Sequence, residues 1–132
     1  MRTLIIILTL AIAIGSTNAE ERPTQDGNWL MPGLLAIINV SEDHNYQIDD
    51  DTRGRLYYTS GMLHGVVTSS GFWTQVHGNK IGIVVPDNTS TTQLARIVYK
   101  YLSENPKVLN QPAAMCVLYG LISQYAIKEE KK

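Results

Sequence analysis

Few residues in this 132-residue chain are of a type that does covalent or metal chemistry: Cys116, the histidines His44, His64 and His77, and the run Asp49-Asp50-Asp51. A thiolate nucleophile needs a base within reach and a cleft around it, and the histidines stand in contexts unrelated to the cysteine. Cys116 falls with Ala113, Val117, Gly120 and Leu121 at spacings of three and four, the apolar face of a helix. There it reads as a small buried hydrophobe, and as the only cysteine it makes no internal disulfide. His64 has no second ligand at helical spacing, so it reads as a hydrogen-bonded structural histidine rather than a metal ligand. The three aspartates suit the positive end of a helix dipole better than a metal site shared with His44. The sequence has no Ser-His-Asp pattern in recognisable context, no cysteine–histidine pairing and no metal-ligand spacing. These residues therefore point to a protein that binds, without catalysis, cofactor or metal.

The elements that must position them follow an apolar leader. Arg2 supplies a positive start, 4–14 is apolar except for Thr9, and Thr17-Asn18-Ala19 offers small residues for cleavage. A signal peptide is expected over 1–19, because the apolar run is well short of the roughly 20 residues that span a bilayer. The mature protein is then expected free in the periplasm, with no membrane anchor after cleavage. What remains suffices for one domain with one core. The full chain has 11 basic and 12 acidic residues; losing Arg2 leaves 10 against 12, a net charge of −2. No clustering of Lys and Arg marks a nucleic-acid footprint. The domain is expected over 20–127, followed by a charged tail over 128–132.

Punctuation predicts a compact all-α bundle of about four helices. A short first helix is expected over about 33–40, just after Pro32, with a polar loop over 41–47. The second is expected to start near Asp49-Asp50-Asp51 and to close at Gly78-Asn79, with Leu56, Tyr57, Met62, Leu63, Val66, Val67 and Phe72 or Trp73 on a broad apolar surface. Glycine inside a helix costs about 0.5–1 kcal/mol relative to alanine, so Gly61 and Gly65, on one face, predict close approach of another helix inside the fold. An extended link over 80–85 leads to the turn Pro86-Asp87-Asn88. Ser90 and Gln93 form a capping box. The next helix turns Leu94, Ile97, Val98, Tyr101 and Leu102 inward and Arg96, Lys100 and Glu104 outward, and ends at Asn105-Pro106. The last opens with Pro112 in its first turn and is apolar on more than one side, so it is expected to be buried or to meet another subunit. Gly120 fits a tight helix crossing there.

Four segments in this order carry a resemblance: Gly61-Met62-Leu63-His64-Gly65-Val66-Val67, then Ile83-Val84-Val85-Pro86, then a helix from Leu94 ending before Asn105-Pro106, then Pro112-Ala113-Ala114. The pattern resembles the Rap/Tai family of small periplasmic immunity proteins, which neutralise amidase effectors of bacterial type VI secretion. The resemblance, over roughly half the chain, implies binding to a cognate peptidoglycan amidase, blockage of its cleft, protection of producing and sibling cells, and a homodimer. Many members carry cysteines in neighbourhoods that here read Tyr57-Tyr58-Thr59-Ser60 and Ile81-Gly82-Ile83-Val84, so packing alone is expected to hold that corner. The family pattern does not mark the contacts. The residues themselves suggest Asp49, Asp51 and Arg53 at the acidic helix start, Asp87 and Asn88 in the turn, and Trp73, Gln75 and His77 at the helix end, because aromatic anchors dominate many interfaces. The alternative is a periplasmic helical chaperone or envelope-stress binding protein. That would call for a Met-rich adaptable face, and the four methionines are scattered.

Overall fold

The computed structural model describes residues 25–77 and 83–126. The expected signal peptide over 1–19, the helix stop at Gly78-Asn79, the start of the link over 80–82 and the tail over 128–132 lie outside the described residues. Within them the chain forms α1 (Gly27–Glu42), α2 (Asp50–His77), α3 (Thr91–Glu104), a 3-10 turn (Pro106–Asn110) and α4 (Ala113–Tyr125), the expected all-α bundle of four helices.

The first helix is longer than the sequence suggested. It starts at Gly27, six residues before the expected position, because the Asp26 carboxylate accepts the Trp29 backbone N–H at 3.0 Å and caps it. That earlier start puts Leu30 one turn before Leu34 and Ile37, and all three are buried. Pro32 therefore lies inside α1 rather than ahead of it, and it is exposed. Its ring removes one intrahelical bond, which burial of the three aliphatic side chains offsets.

The second helix starts where its acids suggested. Asp49 accepts the Thr52 N–H at 2.7 Å, and its carbonyl accepts the Arg53 N–H at 2.9 Å. The broad apolar surface expected along it is narrower than that. Leu63 is buried, Leu56, Met62, Val66 and Val67 are partly covered, and Tyr57, Phe72 and Trp73 are exposed. The close packing expected at Gly61 and Gly65 is also corrected: both are exposed, and a Cβ added to either meets nothing within 4 Å. The inward ridge is Thr59 and Leu63, and each glycine is two residues away from Leu63, about 200° round the helix. The intimate contact is made at Gly33 of α1, where an added Cβ would strike Thr59 and the Arg55 carbonyl.

The capping box at the start of α3 is complete, with Gln93 N–H donating to the Ser90 hydroxyl and Ser90 N–H to Gln93 Oε1. Ser90→Ala is expected to cost about 1 kcal/mol, read by thermal unfolding. Leu94, Val98 and Leu102 are buried as expected, and Ala95 joins them. Across the α3–α4 crossing an added Cβ at Gly120 would lie 3.0 Å from Val98 Cα, so the tight crossing expected there is present. Pro112 immediately precedes α4, and its carbonyl accepts the Met115 and Cys116 N–H groups at 2.9 and 3.1 Å. The helix buries Ala113, Cys116, Val117, Gly120 and Leu121, while Met115, Tyr119 and Ile122 are 36–41% exposed.

Hydrogen bonds from backbone N–H groups hold the Asp26 and Asp49 carboxyls below the ordinary value of 3.8, Trp29 being the main donor to the first and Thr52 to the second. A carboxyl whose value is lower in the folded chain contributes stability above its unfolded value, and that stability is lost as pH falls through the folded one. Melting temperature is expected to fall with acidification below about pH 4. Asp26→Asn with Asp49→Asn is expected to flatten that limb, since asparagine caps without titrating.

Candidate functional site

The most tightly built of the candidate contact regions is the turn over 86–90. Thr89 N–H donates to the Pro86 carbonyl at 3.0 Å, which leaves Asp87 and Asn88 exposed at the corner. After the corner, the capping box pins the chain to α3. Before it, Ile83 is buried and bridges Ala126, and Val84 N–H donates to the Tyr125 carbonyl at 3.3 Å. A loop fixed at both ends loses little conformational freedom on meeting a partner. Behind it is a cleft of about 420 Å³ lined by Pro86, Asn88, Thr89, Gln93, Arg96 and Tyr125. Arg96 also donates to Glu42 at 2.6 Å, which ties this end of the molecule to the close of α1. Both partners of that pair are half-exposed, so it orients the Arg96 guanidinium more than it stabilises the fold.

The acidic start of α2 is a second region. Asp49 is occupied as the cap. Arg53 pairs with Asp50 at 2.9 Å and Arg55 with Asp51 at 3.0 Å. Arg55 also lies over the Trp29 ring, 5.6 Å from its centroid, and Trp29 meets Tyr58 edge to face at 5.1 Å. Such short-range exposed ion pairs are weak, so Asp51 and Arg53 remain able to exchange these partners for those of another protein.

The third region is separate from the second. Trp73 packs edge to face against Phe72 at 6.3 Å and is half-exposed, whereas the side chains of Gln75 and His77 lie outside the described ones. From Asp49 to Trp73 the helix rises about 36 Å, so these two regions sit at opposite ends of α2 and do not form one patch. His64 lies between them with Nε2 2.8 Å from Thr91 Oγ1, the structural hydrogen bond expected of it, and joins the middle of α2 to the start of α3.

Cys116 is fully buried, with its thiol directed at the Val108 and Gln111 carbonyls at 3.2 and 3.4 Å. Burial pushes its pKa up, and the Asp26 carboxylate adds to the effect, so the thiolate is disfavoured. A thiol reagent is expected to label Cys116 slowly in the native protein and quickly once it is unfolded. Among the described residues no three of His, Cys, Asp and Glu are grouped to hold a metal ion, and no helix is long and apolar enough to cross a membrane.

Sequence reasoning missed three members of these surfaces. Val84 is 57% exposed beside the turn, although it reads as part of an apolar link. Tyr58 is held by Trp29 and Arg96 by Glu42, contacts between residues 29 and 54 positions apart in the chain that no local pattern reveals. Comparison of the chain with protein-family models, with curated proteins and with solved structures finds no match.

Proposed function

We propose that this chain is an exported periplasmic immunity protein that binds a peptidoglycan amidase delivered by type VI secretion and blocks its cleft. The family resemblance of the segments from Gly61 onward motivates the reading, and the preorganised turn over 86–90 is the observation that supports it best. Inhibition of a hydrolase by occlusion needs no reactive group. It needs a rigid projection whose polar tip pairs with groups lining the cleft and denies substrate access. Asp87 and Asn88 supply such a tip, with Val84 as an apolar neighbour and Arg96 behind them.

The test is protection and binding together. Cells given a type VI amidase in the periplasm are expected to survive when they express the full chain and not when 1–19 is deleted. The purified mature protein is expected to form a stable complex with that amidase. Asp87→Lys with Asn88→Lys is expected to weaken the complex at least 100-fold with an unchanged melting temperature, since both side chains are exposed. Failure to protect against or bind any amidase of the class would overturn the proposal.

A further inference from the structure

The cleft behind the turn continues past it along α3. Ile97 lines both this cleft and a second cavity of about 270 Å³, so the two form one groove on the outer side of the helix. Gln93, Arg96, Ile97, Lys100, Tyr101 and Glu104 line it at the spacing of one helix face, and residues 123–125 of α4 line it as well. The first cavity is within the roughly 300–1,000 Å³ of small-ligand sites. Its polar groups are set in advance. Arg96 Nη2 donates to Glu42 Oε1 at 2.6 Å, and a guanidinium has five N–H donors, so this bond aims the group without using it up. Gln93 Oε1 accepts the Ser90 N–H at 2.8 Å, which fixes the amide plane and leaves its NH₂ to donate. No carboxylate stands among the described residues that line this cavity. Charge is ordered along the groove: Arg96 in the first cavity, Lys100 about one turn on and Glu104 about one turn further.

We propose that this groove binds a short free peptide, with its C-terminal carboxylate on Arg96 and its amino terminus toward Glu104. A guanidinium pairs with a carboxylate through two parallel N–H···O bonds, and the Gln93 amide lies one turn away to add a donor. From Arg96 to Glu104 the helix rises about 12 Å. An extended peptide of four residues spans about 13 Å, so its two charged ends match the two charged ends of the groove. The reverse direction would set carboxylate against Glu104 and ammonium against Arg96, like charge against like, so the groove fixes the direction of the chain. Lys100 lies about 6 Å along from Arg96, level with the second residue of such a peptide, and favours an acidic side chain there. Asn88, Gln93 and Gln124 carry amide donors and acceptors along the length, the complement of peptide groups. The partly buried Ile97, Tyr101 and Tyr125 give apolar contact to the remaining side chains. The assignment does not depend on what the protein inhibits.

Titration of the isotope-labelled mature chain with the tetrapeptide Ala-Glu-Ala-Ala, followed by amide NMR, tests the site. Saturable shifts are expected over 88–104 and 123–125 and not at the start of α2. Converting the peptide's terminal carboxylate to an amide is expected to weaken binding at least about tenfold, the size of a lost hydrogen bond to a charged group. Arg96→Gln is expected to do the same with an unchanged melting temperature, because its ion pair is half-exposed. Glu42→Gln breaks the same ion pair but keeps the guanidinium, and it is expected to bind within about threefold of the parent, which a merely structural role of the pair would not allow. Glu104→Gln is expected to remove the preference for a free over an acetylated amino terminus. No saturable shift at millimolar peptide would overturn the proposal. So would equal binding of the amidated peptide, or equal losses in the Arg96 and Glu42 variants. An acetylated peptide bound as well as the free one would overturn the assignment to a free peptide and make the C-terminus of a larger protein the occupant.

Discussion

Gly33→Ala is expected to destabilise the domain by about 2–3 kcal/mol, the upper range for an overpacked interior, and to lower its melting temperature by roughly 10–20 °C. The added methyl would run into Thr59 Oγ1 and lie 3.0 Å from the Arg55 carbonyl oxygen and 3.1 Å from Thr59 Cβ. The carbonyl belongs to the backbone of α2 and has no rotamer to escape into, so α1 and α2 must part. Against this stands the helix-propensity gain of about 0.5–1 kcal/mol from replacing an interior glycine, and the steric cost is larger. At Gly61 and Gly65 that gain stands alone, because an added Cβ meets nothing. Gly61→Ala and Gly65→Ala are therefore each expected to raise the stability of the folded chain by about 0.5–1 kcal/mol. The same substitution has opposite signs on adjacent helices, and thermal unfolding of the three variants checks it. Thr59 adds an internal control. Its hydroxyl is buried without a hydrogen-bond partner, so Thr59→Val is expected to gain about 1 kcal/mol by exchanging an unsatisfied oxygen for a methyl group. Thr59→Ala should recover part of the loss in the Gly33→Ala background. A Gly33→Ala variant as stable as the parent would mean that the helices do not cross here.

Leu63→Ala is expected to cost about 3 kcal/mol, within the range for a leucine truncated in a closed core. The position matters because α2 has so few anchors. Among its described residues only Thr59 and Leu63 are buried, although the helix is 28 residues long. Leu63 is thus its one fully buried apolar side chain, set among Leu34, Leu94, Val98 and Leu121 in the core cluster. A loss of that size is a large fraction of the 5–15 kcal/mol that holds a typical domain together. Denaturant unfolding measures it, and hydrogen exchange localises it: amides of α2 are expected to lose more protection than those of α3, which keeps Leu94, Ala95, Val98 and Leu102. Tyr57→Ala, one turn and a half away on the exposed side, is expected to change the stability of the folded monomer by less than about 0.5 kcal/mol. Equal losses at the two positions would contradict the inward ridge.

The candidate surfaces differ in how far they could be read in advance. The turn over 86–90 is local: proline, aspartate and asparagine in succession, then a serine and a glutamine three apart, define its backbone through bonds that span five residues or fewer. The acidic start of α2 is local for the same reason, since Asp49 caps a helix whose first amides are its own neighbours. The outer face of α2 is not. Its glycine spacing is visible in the sequence and suggests a close approach inside the fold, whereas the structure turns it outward. A helical period shows that residues share a face but not which direction that face points, and here the choice was made by Thr59 and Leu63 fitting against Gly33 and the core.

The sequence by itself thus determined the all-α class, the turn, the starts of α2 and α3, the inward face of α3 and the burial of Cys116, because each follows from hydrogen bonds or apolar periodicity within a few residues. The tertiary structure alone decided that Gly33 rather than Gly61 and Gly65 takes the closest helix contact, and that the uncharged face of α2 points away from the core. Those outcomes depend on which side chains from distant parts of the chain fill the same space, and packing of that kind is a property of the assembled core rather than of any segment.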